Sequence, residues 1–588
     1  MSEQQTDQTW SYLDFRSGNT PLPEPNLAWN TYGTGLEAIG VDGKPEPVEI
    51  PAPAGDQLLI RVDAVGLCFS DVKLLKQGGD HPKLYGRDLK VEPTRLGHEV
   101  AVTVIAVGDD LAGTYEPGQR LAIQPDIYVN GRAEAYGYTT PGGLIQYHLI
   151  GAEVLDADHG AYVIPVGDDI GYAAAALSEP WACVEASYTQ RRRLEPAVGG
   201  TMWVIGSVSD STVYTSSAGL GSPSTIVLSD ASDTVRALVD QHRPADSTVV
   251  DRNGLTPADV ARIASEQTGE DGFDDIIVLG QTGAALVEEV AKVIAFRGTM
   301  TMVGTRPLDG DPQIDVGRIH YHYTAFLGTS SADISTAWGE ERNRADVKPH
   351  GTAVYVGAGG PMGQMHMQRA IETPDGPTTI IGIDLDDDRI ETARTMLASL
   401  AEERGRRFIL INPGNDQDAA AELVAAETDG VGADDVIVTV PVGAVMGDAA
   451  KLMAPDGMLV LFAGVPNGTM APLDMSKVYL QNAQYTGTSG SSIEDQASVL
   501  AKASAGALSP GRALAAVGGI EAGRDGVQAL LEGHYAGKVV IFPQLTGLEL
   551  TGLDDLARQH PEIAGALGEN NTWTSEAERL LFEAYHAS

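Results

Sequence analysis

A set of short motifs occurs twice in this 588-residue chain, in the same order both times, at a spacing of roughly 150–160 residues. GTMWVIG at 200–206 matches GTAVYVG at 351–357, and STIVLSD at 224–230 matches TTIIGID at 378–384. DDIIV at 274–278 matches DDVIV at 434–438, GTMTMVG at 298–304 echoes GMLVLFAG at 457–464, and GTS recurs at 328–330 and 487–489. Shared order over the whole span marks a duplicated folding unit. Within each copy, short Val- and Ile-rich runs alternate with longer segments of helical period, such as 284–295 and 388–400. Short apolar strands separated by helices pair in parallel through right-handed crossovers, because such strands are buried on both faces.

The predicted fold class is therefore α/β, with two doubly wound parallel sheets at 197–348 and 349–490. An acidic residue closes the second strand of each copy, Asp230 and Asp384, as in a dinucleotide-binding βαβ unit. The first segment, 1–196, differs. Its short runs LLIRV at 58–62, VAVTV at 100–104 and QYHLI at 146–150 are broken by Gly and Pro, which predicts a mostly antiparallel, barrel-like domain. Residues 491–545 end in the apolar run KVVIF at 538–542, expected to return to that first domain. A polar extension, 546–588, is expected to close with a helix at 575–585 and to cap a surface.

Composition narrows the function. Lys and Arg number 39 against 81 Asp and Glu, a net charge of −42, so nucleic acid and anionic membranes are disfavoured as partners. No run reaches the 18 or so apolar residues of a bilayer span. The first fifteen residues lack the basic-then-apolar order of a secretory signal, so a cytoplasmic location is expected. Cys68 and Cys183 are the only cysteines. They can build neither a disulfide framework nor a four-cysteine zinc site.

Three signals in the first domain carry chemistry: LCFSD at 67–71, GHE at 97–99 and the Glu179-Pro180 step. A thiolate, an imidazole and a carboxylate suit Zn²⁺, and three protein ligands leave a coordination place open. A Lewis acid on an alcohol oxygen stabilises the alkoxide from which a hydride departs. Ser70 stands close enough in sequence to take the hydroxyl proton, and Asp71 is suited to hold a ligand imidazole through its second nitrogen.

With those motifs in place, residues 58–190 resemble the catalytic domain of the zinc-dependent medium-chain dehydrogenases, in their polyol branch. HPKLYGRDLK at 81–90 running into 97–99 is similar to L-sorbose 1-phosphate reductases; sorbitol and threonine dehydrogenases are more distant likenesses. The resemblance implies a GroES-like catalytic domain, zinc ligation by Cys68, His98 and Glu99, and Glu179 beside the metal as a direct or water-mediated ligand. It gives Ser70 the proton relay and implies a homo-oligomer, dimer or tetramer. Many members carry a second, structural zinc on a cysteine lobe. Here 124–143 has no cysteine, so a single catalytic ion is expected. The extra nucleotide domain also departs from the family, whose members have one.

The cofactor is expected on the second copy. Gly357, Gly359, Gly360, Pro361, Met362 and Gly363 lie between a strand and a helix, where glycines let backbone amides approach a pyrophosphate. Asp384 suits the ribose hydroxyls of NAD and repels a 2′-phosphate, with Asp386, Asp387 and Asp388 adding to that repulsion; Arg389 leaves some NADP use open. The first copy reads GSVSDS at 206–211, short of two glycines and with Asp210 in the way. A structural role is expected for it, with a regulatory nucleotide or sugar-phosphate site, or a swap of roles between the copies, as the alternatives.

The function expected is zinc-dependent hydride transfer between NAD and a secondary alcohol or ketone of a polyol, sugar or sugar phosphate. The alternatives are a redox-neutral epimerase or lyase with held NAD, and a non-catalytic nucleotide- or metabolite-binding sensor. Lys73, Lys83, Arg87 and Lys90 are the basic candidates for a substrate phosphate.

Overall fold

The computed structural model describes residues 11–414, 416 and 418–586. Residues 1–10 of the N-terminal segment read above lie outside it. Two compact units result: one takes the chain up to Ala186 together with the chain from Gly490 onward, and the other runs from Ser187 to Ser489.

The first unit is built on an eight-stranded sheet. The strand Leu58–Leu67 is its centre, flanked by Glu99–Val107, Tyr147–Ile150 and Lys538–Phe542, all antiparallel to it. Leu514–Gly519 adds a parallel pair beyond Lys538–Phe542. Every residue of Leu58–Leu67 is buried. That burial includes Arg61 and Asp63, which satisfy one another at 2.6 Å while the Thr103 hydroxyl donates to Asp63. The guanidinium lies 3.5 Å from the centroid of the Phe15 ring, adding a cation–π contact.

The C-terminal extension enters this core. Helix Ser575–His586 packs Phe582 against Phe15, Tyr172 and Phe542. Glu578 accepts from the backbone N–H groups of Tyr172 and Ala173, at 2.6 and 2.8 Å. These are orphan donors of helix Tyr172–Ala176. The expected surface cap is thus part of the interior: its polar sequence hides a stripe of Ala577, Leu581 and Phe582, all at most 1% exposed.

The second unit holds two six-stranded parallel sheets. Both run in a 3-2-1-4-5-6 order, from Thr248–Asp251 to Ala325–Thr329 in the first copy and from Arg407–Ile411 to Gln484–Gly487 in the second. Two details depart from the sequence reading. The helix expected over 284–295 stops at Ala291, and Ile294 opens the strand Ile294–Val303; apolar periodicity alone does not separate a helix end from a buried strand start. In the first copy, no helix follows the strand Thr201–Ile205: residues 206–224 run as turns and irregular backbone with one bridge, Thr215 to Asp333. Ser, Asp, Gly and Pro crowd that stretch, and its side chains bond locally. Asp210 accepts from the Thr212 N–H at 3.0 Å and from the Tyr214 hydroxyl at 2.6 Å. Such local bonds compete with helix formation.

Candidate metal centre and dinucleotide turn

Cys68 stands where the strand Leu58–Leu67 gives way to helix Phe69–Gln77. Glu99 opens the neighbouring strand, directly opposite Gly66, and His98 immediately precedes it. A Cβ on Gly66 would sit 2.1 Å from Glu99 Oε2, so only glycine leaves room for that carboxylate. The ligand atoms of Cys68, His98 and Glu99 all lie within 4.8 Å of one another. His98 and Glu99 are buried and Cys68 is half-buried.

Asp71, in the first turn of the helix, organises the group. Its carboxylate accepts from the Cys68 N–H at 2.9 Å, the Gly97 N–H at 3.1 Å and His98 Nδ1 at 3.2 Å. With Nδ1 taken by Asp71, Nε2 is the nitrogen left for a metal ion, the arrangement of an imidazole ligand with a carboxylate behind it. Burial opposes charge on His98, but the adjacent Asp71 carboxylate outweighs it and raises the imidazole well above its usual range. Burial likewise opposes ionisation of Asp71, and His98 with the two backbone donors reverses that, lowering it.

Glu99 has two unlike oxygens. Oε1 takes the Lys538 ammonium at 2.5 Å, with both side chains almost wholly buried. Oε2 is buried without a hydrogen-bond partner among the described residues. An orphaned carboxylate oxygen beside a thiol and an imidazole fits a divalent cation, which would satisfy it. Lys538 lies far away in sequence and was not singled out there. Its one signal was a lysine heading an otherwise apolar strand.

Glu179 does not join this group of three. It lies in helix Ser178–Thr189, buried, accepting from Cys183 Sγ at 3.7 Å. Burial pushes its carboxyl up to about 7; His98 and Lys538 pull it down, while Glu99 and Asp126 push it further up. Ser70 is half-buried in the first turn of helix Phe69–Gln77.

The wall beside His98 is polar and was mostly missed by sequence reasoning. Tyr138 packs its ring 5.9 Å from His98 and 5.1 Å from His81, with the Lys83 ammonium 5.0 Å away. Lys83 pairs with Asp126 at 2.6 Å. Burial, aided by Lys83 and Lys73, lowers His81 to about 4. Of the other basic candidates, Arg87 pairs with Glu92 at 3.5 Å, and Lys73 and Lys90 are exposed.

In the second copy, the strand Thr352–Val356 leads through Gly357 to Gly360, which precedes helix Pro361–Glu372. A Cβ on Gly363 would lie 2.3 Å from the Gly357 carbonyl oxygen, so the helix approaches the turn as closely as glycine permits. Met362 and Pro361 are half-buried in its first turn. Asp384 Oδ2 accepts from the Gly359 N–H at 2.8 Å, which fixes the carboxylate against the turn. Asp386 caps helix Asp387–Glu403 and lies 3.6 Å from Arg389. In the first copy Asp230 faces elsewhere: its two oxygens accept from the Gly254 and Leu255 N–H groups, at 2.6 and 2.9 Å. With no helix after the first strand, that copy has no helix N-terminus at which to seat a pyrophosphate.

Residues 54–157, which carry Cys68, His98 and Glu99, match the alcohol dehydrogenase GroES-like domain. Residues 361–505, beginning at the helix after the glycine turn, match the zinc-binding dehydrogenase family. The chain is 23% identical over 552 residues to mannitol-1-phosphate 5-dehydrogenase of Aliivibrio fischeri, covering 92% of this chain and 95% of that one. It is 22% identical over 552 residues to the uncharacterized protein YggP of Escherichia coli, covering 91% and 93%. To L-sorbose 1-phosphate reductase of Klebsiella pneumoniae it is 27% identical over 309 residues, 49% of this chain and 72% of that one. Alignments of 552 residues take in both copies of the repeat.

Proposed function

We propose that this chain, which belongs to the zinc-dependent medium-chain dehydrogenases, oxidises and re-forms a secondary alcohol on a phosphorylated polyol with NAD as hydride carrier. The observation that carries this reading is the convergence of Cys68, His98 and Glu99 within 4.8 Å, with one buried oxygen of Glu99 left over for a cation. Cys68, His98 and Glu99 would hold a divalent ion that would supply Lewis-acid polarisation of the alcohol oxygen, and a bound NAD would supply the hydride acceptor.

The protein's own groups do the rest. Asp71 engages His98 Nδ1 and so would leave Nε2 to hold the ion. Lys538 neutralises one end of Glu99, so that the buried carboxylate presents a single oxygen to the metal. Ser70 takes the substrate's hydroxyl proton. Glu179, held near pH 7 by burial, serves as a reserve carboxylate beside the metal. It would hold a bound ion directly or through water. Gly357 to Gly363 seat the dinucleotide pyrophosphate at the N-terminus of helix Pro361–Glu372, with Asp384 at the ribose. The phosphorylated substrate is supported by the names of two relatives, mannitol-1-phosphate 5-dehydrogenase and L-sorbose 1-phosphate reductase. On this chain, His81 and the Lys83–Asp126 pair beside Tyr138 would meet the substrate's polar end.

Metal analysis combined with a panel of polyols and their phosphates tests the reading. NADH formation should require the phosphate ester, and Cys68→Ser should remove bound zinc and turnover together. Full turnover by metal-free protein, or equal rates on free polyols, contradicts it.

A further inference from the structure

The two copies of the repeat bind one another through equivalent surfaces. After its fifth strand, each copy has a three-residue strand, Gln313–Asp315 in the first and Met470–Pro472 in the second. These two strands pair antiparallel, with Gln313 opposite Pro472, Ile314 opposite Ala471 and Asp315 opposite Met470. The register is self-complementary: the first residue of each strand meets the last of the other. The flanking bonds repeat the pattern. Leu473 donates to the Pro312 carbonyl at 3.2 Å, and its counterpart Val316 donates to the Thr469 carbonyl at 3.0 Å.

The contacts around the short strands are reciprocal too. Gly328, which opens the GTS motif of the first copy, lies against Tyr479 of the second; a Cβ there would be 2.7 Å from Tyr479 Cβ. Gly487, which opens the same motif in the second copy, lies against His320 of the first; a Cβ there would be 3.2 Å from His320 Cα. One apolar core runs through both copies, with Ile314, Ile319 and Phe326 on one side and Ala471, Val478 and Tyr485 on the other, each at most 2% exposed. Contact of residue i with j on one side, repeated as j with i on the other, is the mark of an isologous two-fold interface, which consumes both faces and closes. A continuous apolar core belongs to permanent interfaces, not transient ones.

We infer that the first copy is a built-in partner: it holds, within one chain, the two-fold face through which the dinucleotide-binding copy would otherwise pair with a second chain. This accounts for a copy that keeps its sheet and contact face but has neither the glycine turn nor the helix behind it. It stands whether or not the proposed reaction is right. Any dimer or tetramer of the kind expected from the resemblance must be built on other faces.

Cysteine cross-linking of the full-length chain tests this. Gln313 and Pro472 form a non-hydrogen-bonded pair, because the ladder bonds fall on the neighbouring pairs. Their Cα atoms are therefore about 4.5 Å apart, within disulfide reach. Oxidised Gln313→Cys with Pro472→Cys should cross-link within single chains, giving one-chain mass on a non-reducing gel at every protein concentration. Each single-cysteine variant, which still carries Cys68 and Cys183, serves as control. Covalent dimers would show that the face joins different chains, and free thiols at both positions would show that it does not form; either result overturns the inference. On the unmodified protein, hydrogen exchange at Val316 and Leu473 should be equally slow after hundredfold dilution. Loss of protection on dilution would also overturn it.

Discussion

Lys538 holds one of the three candidate metal ligands, Glu99, without belonging to that group itself. Its ammonium lies 2.5 Å from Glu99 in an interior that hides both side chains, and breaking a buried pair from one side costs about 3–5 kcal/mol, since the remaining charge has no compensation. Lys538→Met should therefore destabilise the metal-free protein by about that amount in urea titrations and lower its zinc content. Adding Glu99→Gln to Lys538→Met should restore most of the stability and none of the zinc. A Lys538→Met protein as stable as the parent, with full zinc, would show that the pair is incidental. Cys68, His98 and Glu99 could be named from short motifs because each lies next to its own signal. Lys538 and Asp126 could not be, because their links to the site are made by packing between distant segments, 439 residues apart for Lys538 and Glu99 and 43 for Asp126 and Lys83.

Between residue and fold, the turn-and-helix element separates the two copies. Pro361–Glu372 is anchored from beneath by His366, whose Nδ1 lies 2.7 Å from the Tyr188 hydroxyl and whose ring packs on Phe462. Burial, aided by Arg369, lowers His366 to about 3. Because the unfolded chain binds this proton near pH 6.5 and the folded one does not, the contribution is whole above pH 6.5 and is lost as pH falls toward 3. It amounts to up to about 5 kcal/mol. Between pH 7.5 and 4.5 the parent should thus lose roughly 2–3 kcal/mol more stability than His366→Gln; identical pH profiles would refute this. On the same element, Asp384→Ser should move the preference between NAD and NADP toward NADP by about tenfold, or about 1.4 kcal/mol, read from the ratio of kcat/KM values. An unchanged ratio would place the ribose elsewhere. The repeated strands of this element were legible because buried parallel strands leave unbroken apolar runs. The missing helix of the first copy is not legible in this way: its Ser- and Asp-rich turn reads only as short of glycines, while the bonds to Asp210 from Thr212 and Tyr214 that hold it in turns exist only in three dimensions.

At the scale of the whole molecule, the first unit is assembled from both ends of the chain, with the repeat between them. Its sheet is not finished until Lys538–Phe542 pairs with Leu58–Leu67, and its core not until helix Ser575–His586 arrives. Phe582 is the plug: 1% exposed, with ring centroids 4.8 Å from Phe15 and 5.3 Å from Phe542. Truncating so enclosed an aromatic ring costs about 3–5 kcal/mol, part transfer and part cavity. Phe582→Ala should accordingly speed hydrogen exchange in helix Tyr172–Ala176 and in strand Lys538–Phe542, which lie against the ring or its neighbours. The two parallel sheets, whose shared core is separate from that of the first unit, should keep their protection. Zinc binding should weaken along with the first unit, because Lys538 heads the strand that the plug supports. Uniform loosening of both units would mean that they unfold as one body. No change in exchange would mean that the closing helix is only a surface cap, as its polar sequence first suggests.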